Sequence, residues 1–287
     1  MSELEKHHYL PVFYLARWSR PDGKVMRYYR PHKDVVASPI SPKHTGFERG
    51  LYQLDGYSPE KKNLIEKEFM AATVDDPAAQ AMTILIARDN SKLTPERRYN
   101  WTRFVLSLVV RNPEKLQEIS RDAAKGLPKT LSVEPEQYAS LRSEDDPPTL
   151  YEWVEQNAPE VISNYGKQIL PGIITHRNSN NEIAQMRWWT VSITNGFPDL
   201  LTGDRPVFMS HGLMDERCVI ALPMSPKFVF FATRSQVTFE RLMSRGVKAV
   251  IKSINESIVC QAESSVYGAH DGHLRFVENR LKYRLQA

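Results

Sequence analysis

The stretch that decides the fold is residues 94–113, which read TPERRYNWTRFVLSLVVRNP. Thr94 followed by Pro95 and Glu96 is typical of a helix start, with a side-chain cap, a proline at the first helical position and an early carboxylate. Apolar side chains then recur at the i, i+3, i+4, i+7 spacing of one helical face: Trp101, Phe104, Val105 and Leu108. The stretch therefore predicts an amphipathic helix that packs on a core and ends near Pro113.

Helical patterns continue on both sides of this stretch, over residues 58–175. Ser58-Pro59 and Asp76-Pro77 resemble helix starts, and a further helix is expected after Pro148. The acidic, proline-containing residues 126–148 are expected to connect two helices. The middle of the chain is therefore predicted to be helical.

Strand patterns flank this helical region. The N-terminal region predicts strands at residues 25–29 and 50–54, separated by a long irregular connection. The C-terminal region predicts strands at residues 187–193, 200–202, 218–222 and 228–231. Two closing helices are expected, the second with Asn255 as its N-cap and Val266 on its buried face.

These patterns predict an α+β fold in which the helical middle region packs with a mostly antiparallel sheet formed by N-terminal and C-terminal strands. We expect one large domain over residues 1–287, divided into an N-terminal region (1–57), a helical region (58–175) and a strand-rich region (176–287).

The composition excludes several classes of protein. With 287 residues, 41% apolar and 25% charged, and with 13 glycines and 19 prolines, the chain is neither collagen-like nor wholly disordered. Its two cysteines do not form a disulfide framework. We find no signal-peptide pattern and no membrane-spanning apolar run, so we expect a cytoplasmic protein without membrane contact. The net charge of +4 permits contact with nucleic acid without requiring it.

Charged residues on predicted apolar faces are the first candidates for function. If residues 59–74 are α-helical, Glu68 lies on the buried face and Asp75 follows two turns later. Arg111 extends the buried stripe of the Trp101 helix. Such charges are costly unless they are paired, protonated or bound to a ligand. They form either an internal arginine–carboxylate pair that fixes packing, or a polar site in which Arg111 meets an anionic substrate group.

Two further features could contribute to the same site. His7 and His8 are adjacent, so their side chains point in different directions and are not expected to share one metal ion. One could act in a site, or the pair could anchor the N-terminus. Asp204 lies in the segment TGDRPV (residues 202–207), where it forms either an Asx-turn or a metal ligand or general base at a strand end.

Several short motifs, in their order, resemble domain-of-unknown-function family 4238, a mainly bacterial family. The motifs are residues 7–11, Tyr14-Leu15, Leu51-Tyr52, residues 111–113, residues 202–207, residues 222–226 and Asn255. The resemblance spans roughly residues 7–267 and implies no particular activity. The chain departs from the family pattern in having Asp75 in place of a Glu and Arg205 in place of an Asn, which puts a shared metal geometry in doubt.

The leading hypothesis is a hydrolase that acts on a phosphate-containing substrate or nucleic acid. Glu68, Asp75 and Asp204 would hold Mg²⁺ or Mn²⁺, His7 or His8 would act as general acid or base, and Arg111 would stabilise phosphoryl charge, with Asp204 as a further catalytic candidate. The alternatives are a non-catalytic module that binds or senses a small anionic ligand, and a phage-defence or toxin component.

Overall fold

The computed structural model describes residues 5–132, 135–194 and 196–282. Its helices are α1 (Val12–Leu15), α2 (Asp76–Ala87), α3 (Pro95–Val110), α4 (Pro113–Leu131), α5 (Pro135–Leu141), α6 (Leu150–Asn157), α7 (Pro159–Ile174), α8 (Arg177–Gln185), α9 (Gln236–Met243), α10 (Val247–Gln261) and α11 (Leu274–Glu278). A π-helix, Ile65–Asp75, precedes α2, and short 3₁₀ turns lie at Ala16–Trp18, Pro42–His44 and Asn90–Lys92.

The strands are β1 (Lys6–His8), β2 (Val25–Tyr29), β3 (Val36–Ile40), β4 (Phe47–Arg49), β5 (Arg187–Ser192), β6 (Thr202–Gly203), β7 (Phe208–Met209), β8 (Val219–Ser225), β9 (Phe228–Thr233) and β10 (Ser265–Gly268). They form a β1–β4 pair, a sheet in the order β3-β2-β10-β6 and a sheet in the order β5-β9-β8-β7, with antiparallel pairing throughout. The predicted α+β class is confirmed, and strands from both ends of the chain share one sheet as expected.

The helix predicted from residues 94–113 is confirmed as α3. The Thr94 side chain accepts a hydrogen bond from the Arg97 N–H at its start. The four side chains of the predicted face, Trp101, Phe104, Val105 and Leu108, are at most 2% exposed and belong to the largest hydrophobic core. Burial of each contributes roughly 1.5–3 kcal/mol, so α3 is anchored by its apolar face and its C-terminal end is held rigidly in the interior.

The N-terminal strands differ from the prediction. Residues 50–54 form a turn, while the connection predicted to be irregular contains β3 and β4. The prolines of that connection argued against strands, but Pro39 lies in β3, which is at the edge of its sheet. An edge strand tolerates proline because its outward N–H has no partner in the ladder.

Two predicted boundaries in the helical parts are also wrong. Residues 126–131 continue α4, and residues 135–141 form α5, within the segment expected to be a connection. Asn255 lies inside α10 rather than at a helix start, and Val266 belongs to β10. The Asn255 side chain accepts a hydrogen bond from the Leu201 N–H and donates one to the Asp199 carbonyl. It therefore binds the backbone of a distant loop instead of capping a helix. No helix of the described residues is both long and apolar enough to cross a bilayer.

Candidate functional site

Strand β1 places His7 and His8 on opposite sides of the chain, as the alternation of strand side chains requires. His7 is fully buried and stacks on the Tyr52 ring, with 5.7 Å between ring centroids and 7° between ring planes. The Tyr52 N–H donates to His7 Nδ1 at 2.9 Å. Burial lowers the pKa of His7, and a neutral ring whose Nδ1 accepts must carry its proton on Nε2.

The second ring nitrogen of His7, Nε2, is buried beside the side chain of Asn63. A hydrogen bond with Asn63 opposes the lowering of the His7 pKa. This contact is outside normal hydrogen-bond geometry, and neither His7 Nε2 nor Asn63 Oδ1 has another partner among the described residues. The bond between His7 and Asn63 is therefore weak, and His7 Nε2–H is open to a further acceptor.

His8 and Glu66 meet at the start of the π-helix. The His8 N–H donates to Glu66 Oε1 at 3.3 Å. Burial lowers the pKa of His8, opposed by a hydrogen bond between its ring and the Lys43 backbone. Burial raises the pKa of Glu66 to about 7, and the nearby Asp75 carboxylate acts in the same direction. In the described part of the chain, His8 Nε2 and Glu66 Oε2 are buried without a partner.

Arg111 lies at the C-terminal end of α3, and its side chain is completely buried. Its Nη1 donates to Asp75 Oδ1 at 2.8 Å, while the Tyr52 hydroxyl donates to the Arg111 carbonyl at 2.5 Å. Burial raises the pKa of Asp75 and the Arg111 charge opposes that rise. Arg111 Nε and Nη2 have no hydrogen-bond partner among the described residues. One edge of the guanidinium is therefore unused.

The carboxylate that joins this cluster is Glu66 and not the predicted Glu68. Residues 65–75 form a π-helix, in which hydrogen bonds run from i to i+5 and the turn is wider than in an α-helix. Residues seven positions apart share a face in an α-helix but not in a π-helix. Glu68 therefore does not align with Asp75, and it is exposed. Glu66 lies nine residues before Asp75, which is close to two π-helical turns, and both are at least partly buried.

Asp204 belongs to a different polar centre. Its two carboxylate oxygens accept from the Glu263, Ser264 and Ser265 N–H groups at 2.6–2.9 Å, and from the Ser264 hydroxyl at 2.9 Å. These donors form the turn between α10 and β10. The side chain thus bonds a distant turn instead of its own. Burial raises the pKa of Asp204, and the backbone donors oppose that rise.

The three carboxylates predicted to hold a divalent cation are not brought together. Within residues 5–132, 135–194 and 196–282, no group of three or more His, Cys, Asp or Glu side chains is arranged to bind a metal ion. Glu68 faces solvent, Asp75 pairs with Arg111, and the oxygens of Asp204 already accept four hydrogen bonds. The predicted arginine–carboxylate contact, in contrast, is present.

We call the group of His7, His8, Glu66, Asp75 and Arg111 the Arg111 cluster. Together with Asn63 it contains six buried polar atoms without partners among the described residues. Each such atom costs about 1–3 kcal/mol relative to a satisfied one. Buried polar groups normally have a partner in the protein or in ordered water. The unpartnered atoms of the Arg111 cluster are therefore open to water or to a polar ligand.

Comparison with protein families identifies the chain. A family model described as "Protein of unknown function (DUF4238)" matches residues 6–272. The chain belongs to DUF4238. The resemblance drawn from the short motifs is thereby confirmed, and the matched part of this DUF4238 chain includes the Arg111 cluster and Asp204. No curated protein and no solved structure matches the chain.

Sequence reasoning missed Glu66, Tyr52 and Asn63 as members or neighbours of the site in this DUF4238 protein. Tyr52 was part of the motif Leu51-Tyr52, but its hydrogen bonds to His7 and Arg111 join residues 45 and 59 positions apart. The signal for Glu66 was its spacing of nine residues from Asp75, which becomes informative only once the π-helix is known.

Proposed function

We propose that this DUF4238 protein is a hydrolase that acts on a phosphate-containing substrate at the Arg111 cluster. One observation carries the proposal: the unused Nε–Nη2 edge of a fully buried arginine lies within electrostatic range of His8 and Glu66. The pKa of Glu66 is raised to about 7, and His8 is kept neutral by its lowered pKa. Neighbouring acidic and basic groups whose pKa values are both shifted from their ordinary values are characteristic of acid–base catalysis.

Arg111 supplies the binding part of the mechanism. The Nε–H and Nη2–H groups form a planar fork that matches two non-bridging oxygens of a phosphoryl group. The bond from Nη1 to Asp75 fixes the plane of the guanidinium, so the fork is oriented before the substrate arrives. Donors that are fixed in advance stabilise developing charge without reorganisation.

His8 and Glu66 supply the proton transfers. Neutral His8 holds a lone pair on Nε2 when its other ring nitrogen carries the proton, and it accepts a proton from the attacking water. The water oxygen bonds to phosphorus as the ester P–O bond breaks. The leaving oxygen takes the proton of Glu66, which is partly protonated near neutral pH because its pKa is about 7.

The depth of the residues supports this division of roles. Arg111 and His7 are 0% exposed, whereas the Asp75 side chain retains 17% exposure and His8 and Glu66 are intermediate. A substrate that enters from the side of His8 and Glu66 places its phosphoryl group, rather than its whole body, against Arg111. Among the described residues, no group of three or more His, Cys, Asp or Glu side chains is arranged to hold Mg²⁺ or Mn²⁺.

The test measures hydrolysis of p-nitrophenyl phosphate, bis(p-nitrophenyl) phosphate, nucleotides and a short oligonucleotide, each with EDTA and with Mg²⁺ or Mn²⁺. We expect Glu66→Gln and Arg111→Lys each to lower kcat/KM for the active substrate by about 10²- to 10³-fold. The matched control is Glu68→Gln, which makes the same chemical change two residues away on an exposed side chain and should leave the rate nearly unchanged.

Equal rates for wild type and Glu66→Gln would contradict the assignment of Glu66 as the acid. Circular dichroism and urea unfolding of each variant separate loss of catalysis from loss of folding. Glu66→Gln is the more informative variant because the neutral amide has the shape of the protonated carboxyl group. It should therefore retain the fold at neutral pH.

A non-catalytic module that binds a small anionic ligand is the second candidate. The observation in its favour is that the Asp75 carboxylate already neutralises the charge of Arg111. This ion pair weakens the electrostatic attraction between the site and a dianion. Calorimetric binding of phosphate or nucleotide by wild type, abolished in Arg111→Lys, together with no turnover of any substrate in the panel, would favour this candidate over the hydrolase.

A further inference from the structure

A cavity lies apart from the Arg111 cluster. Its volume is about 310 Å³, and it opens between the end of α2, the following turn, the start of α3 and strand β5. No member of the Arg111 cluster lines it. A volume of this size is within the range of small-molecule sites.

Arg98 forms a fixed cation on one wall of this cavity. Its guanidinium stacks over the Trp188 ring, with Cζ 3.8 Å from the ring centroid. Its Nη2 donates to the carbonyls of Ala184 and Met186 at 2.6 and 3.1 Å. Among the described residues no carboxylate pairs with Arg98, and burial lowers its pKa. A half-buried guanidinium that two neutral carbonyls contact, without a carboxylate, leaves its charge uncompensated, so the wall favours an anion.

Arg88 supplies a second cation at the same cavity. It ends α2 with φ +56°, a left-handed conformation that glycine usually occupies at a helix end. The side chain is exposed and has no ion pair within the described part of the chain. The backbone conformation alone would favour a glycine here, so the arginine side chain is not explained by the helix end.

The remaining walls combine aromatic, apolar and polar residues. They are formed by Leu85, Asn90, Leu93, Trp188, Trp189 and Thr190, and none of the described lining residues is acidic. Trp189 is held in place by a stacked Phe239 ring, with 4.1 Å between centroids. The walls therefore accept a flat ring with polar edges, while the two guanidinium groups accept a negative charge beside it.

We propose that this cavity binds a nucleoside monophosphate, with the base against the Arg98–Trp188 stack and the phosphate between Arg88 and Arg98. Guanidinium planes and indole rings both stack with bases, and guanidinium groups bind phosphate oxygens. The proposal is independent of hydrolysis at the Arg111 cluster, since the two sites share no residue.

The experiment titrates AMP, adenosine and inorganic phosphate into wild type and follows both heat and tryptophan fluorescence. We expect AMP to bind at least about tenfold more tightly than adenosine or phosphate, because each of these retains only half of the contacts. Binding should change the fluorescence, since Trp188 and Trp189 line the cavity. Equal affinity for AMP and adenosine, or no binding of AMP, would overturn the proposal.

The variants locate the binding. Arg88→Gly removes one cation and suits the left-handed backbone, so its melting temperature should hold or rise while its AMP affinity falls about tenfold. Arg187→Gln removes an exposed cation of β5 that does not line the cavity, and should bind AMP as wild type does. Unchanged affinity in Arg88→Gly, or a loss in Arg111→Lys equal to that in Arg88→Gly, would place AMP elsewhere and refute the site.

Discussion

Two buried polar centres in this chain are built in opposite ways. Around Asp204, both carboxylate oxygens accept hydrogen bonds, four in all, from one turn. Around Arg111, one guanidinium nitrogen donates to Asp75, while Nε and Nη2 lack partners among the described residues. Both residues are at most 5% exposed. The two centres therefore carry a similar cost of desolvation but differ in how much of it their hydrogen bonds offset.

The difference fits the proposal that the Asp204 centre holds the fold and that the Arg111 cluster serves function. A satisfied buried carboxylate fixes the turn between α10 and β10 against β6, because removing it leaves several N–H groups without acceptors. A buried arginine with two unpartnered nitrogens, beside carboxyl and imidazole groups whose pKa values are shifted, lowers stability unless those nitrogens gain partners. Under the proposed function, the substrate supplies those partners.

The largest expected effect is on stability and comes from Asp204→Ala. This variant removes the acceptor of three N–H groups, of which that of Ser265 is buried, and of one hydroxyl. We expect it to lower the free energy of unfolding by about 3–5 kcal/mol. Urea denaturation measures this as a lower midpoint with an unchanged slope. Asp204→Asn retains one oxygen acceptor and should lose less.

The same variants can break the comparison. If Asp204→Asn kept wild-type stability but lost hydrolysis of the active substrate, Asp204 would belong to the reaction rather than to the turn. If Arg111→Lys lost as much stability as Asp204→Ala, the Arg111 cluster would be a structural centre as well.

Sequence patterns could predict the elements whose evidence is local. The apolar stripe of α3 and its extension by Arg111 follow directly from α-helical periodicity. That Arg111 pairs with a carboxylate follows from the cost of burying an unpaired charge, whereas the identity of that carboxylate, Asp75, comes from the structure. Strand β3 could not be predicted because it contains Pro39, which disfavours a strand except at the edge of a sheet. The sequence does not reveal which strand lies at an edge.

The composition of the site could not be predicted for two physical reasons. The π-helix changes which residues share a face, so Glu66 replaced Glu68. The partners of Asp204 lie 59–61 residues away, and no local pattern distinguishes a side chain that bonds its own turn from one that bonds another. Whether a buried polar atom is satisfied depends on the complete packing around it.

The second prediction concerns the pH dependence that Glu66 gives to the Arg111 cluster. The native pKa of about 7 lies above the ordinary value of 4.5, so the folded protein holds a proton that the unfolded chain releases between these values. Stability from Glu66 is complete below about pH 4.5 and is lost as the pH rises through about 7, by roughly 3 kcal/mol. Glu66→Gln cannot lose this proton.

The measurement is the difference in unfolding free energy between Glu66→Gln and wild type. It should rise by about 3 kcal/mol in favour of the variant from pH 4.5 to about pH 8. His7 and His8 titrate in both proteins, so their contributions largely cancel in the difference. A difference that does not vary with pH would mean that Glu66 titrates in the folded protein as it does in the unfolded chain.

The smallest expected effect comes from Tyr52→Phe, which tests the satisfied part of the Arg111 cluster. The variant removes the hydroxyl that donates to the Arg111 carbonyl but keeps the ring that stacks on His7 and the N–H that donates to His7 Nδ1. We expect a loss of about 1–2 kcal/mol in unfolding free energy. The matched control, Tyr57→Phe, alters a tyrosine that is 41% exposed and should change stability by less than about 0.5 kcal/mol. If Tyr52→Phe lost far more hydrolysis than its loss of unfolding free energy explains, the hydrogen bond from the tyrosine would position Arg111 for the substrate. Hydrogen-bonded groups of the Arg111 cluster would then contribute to function as well as to structure.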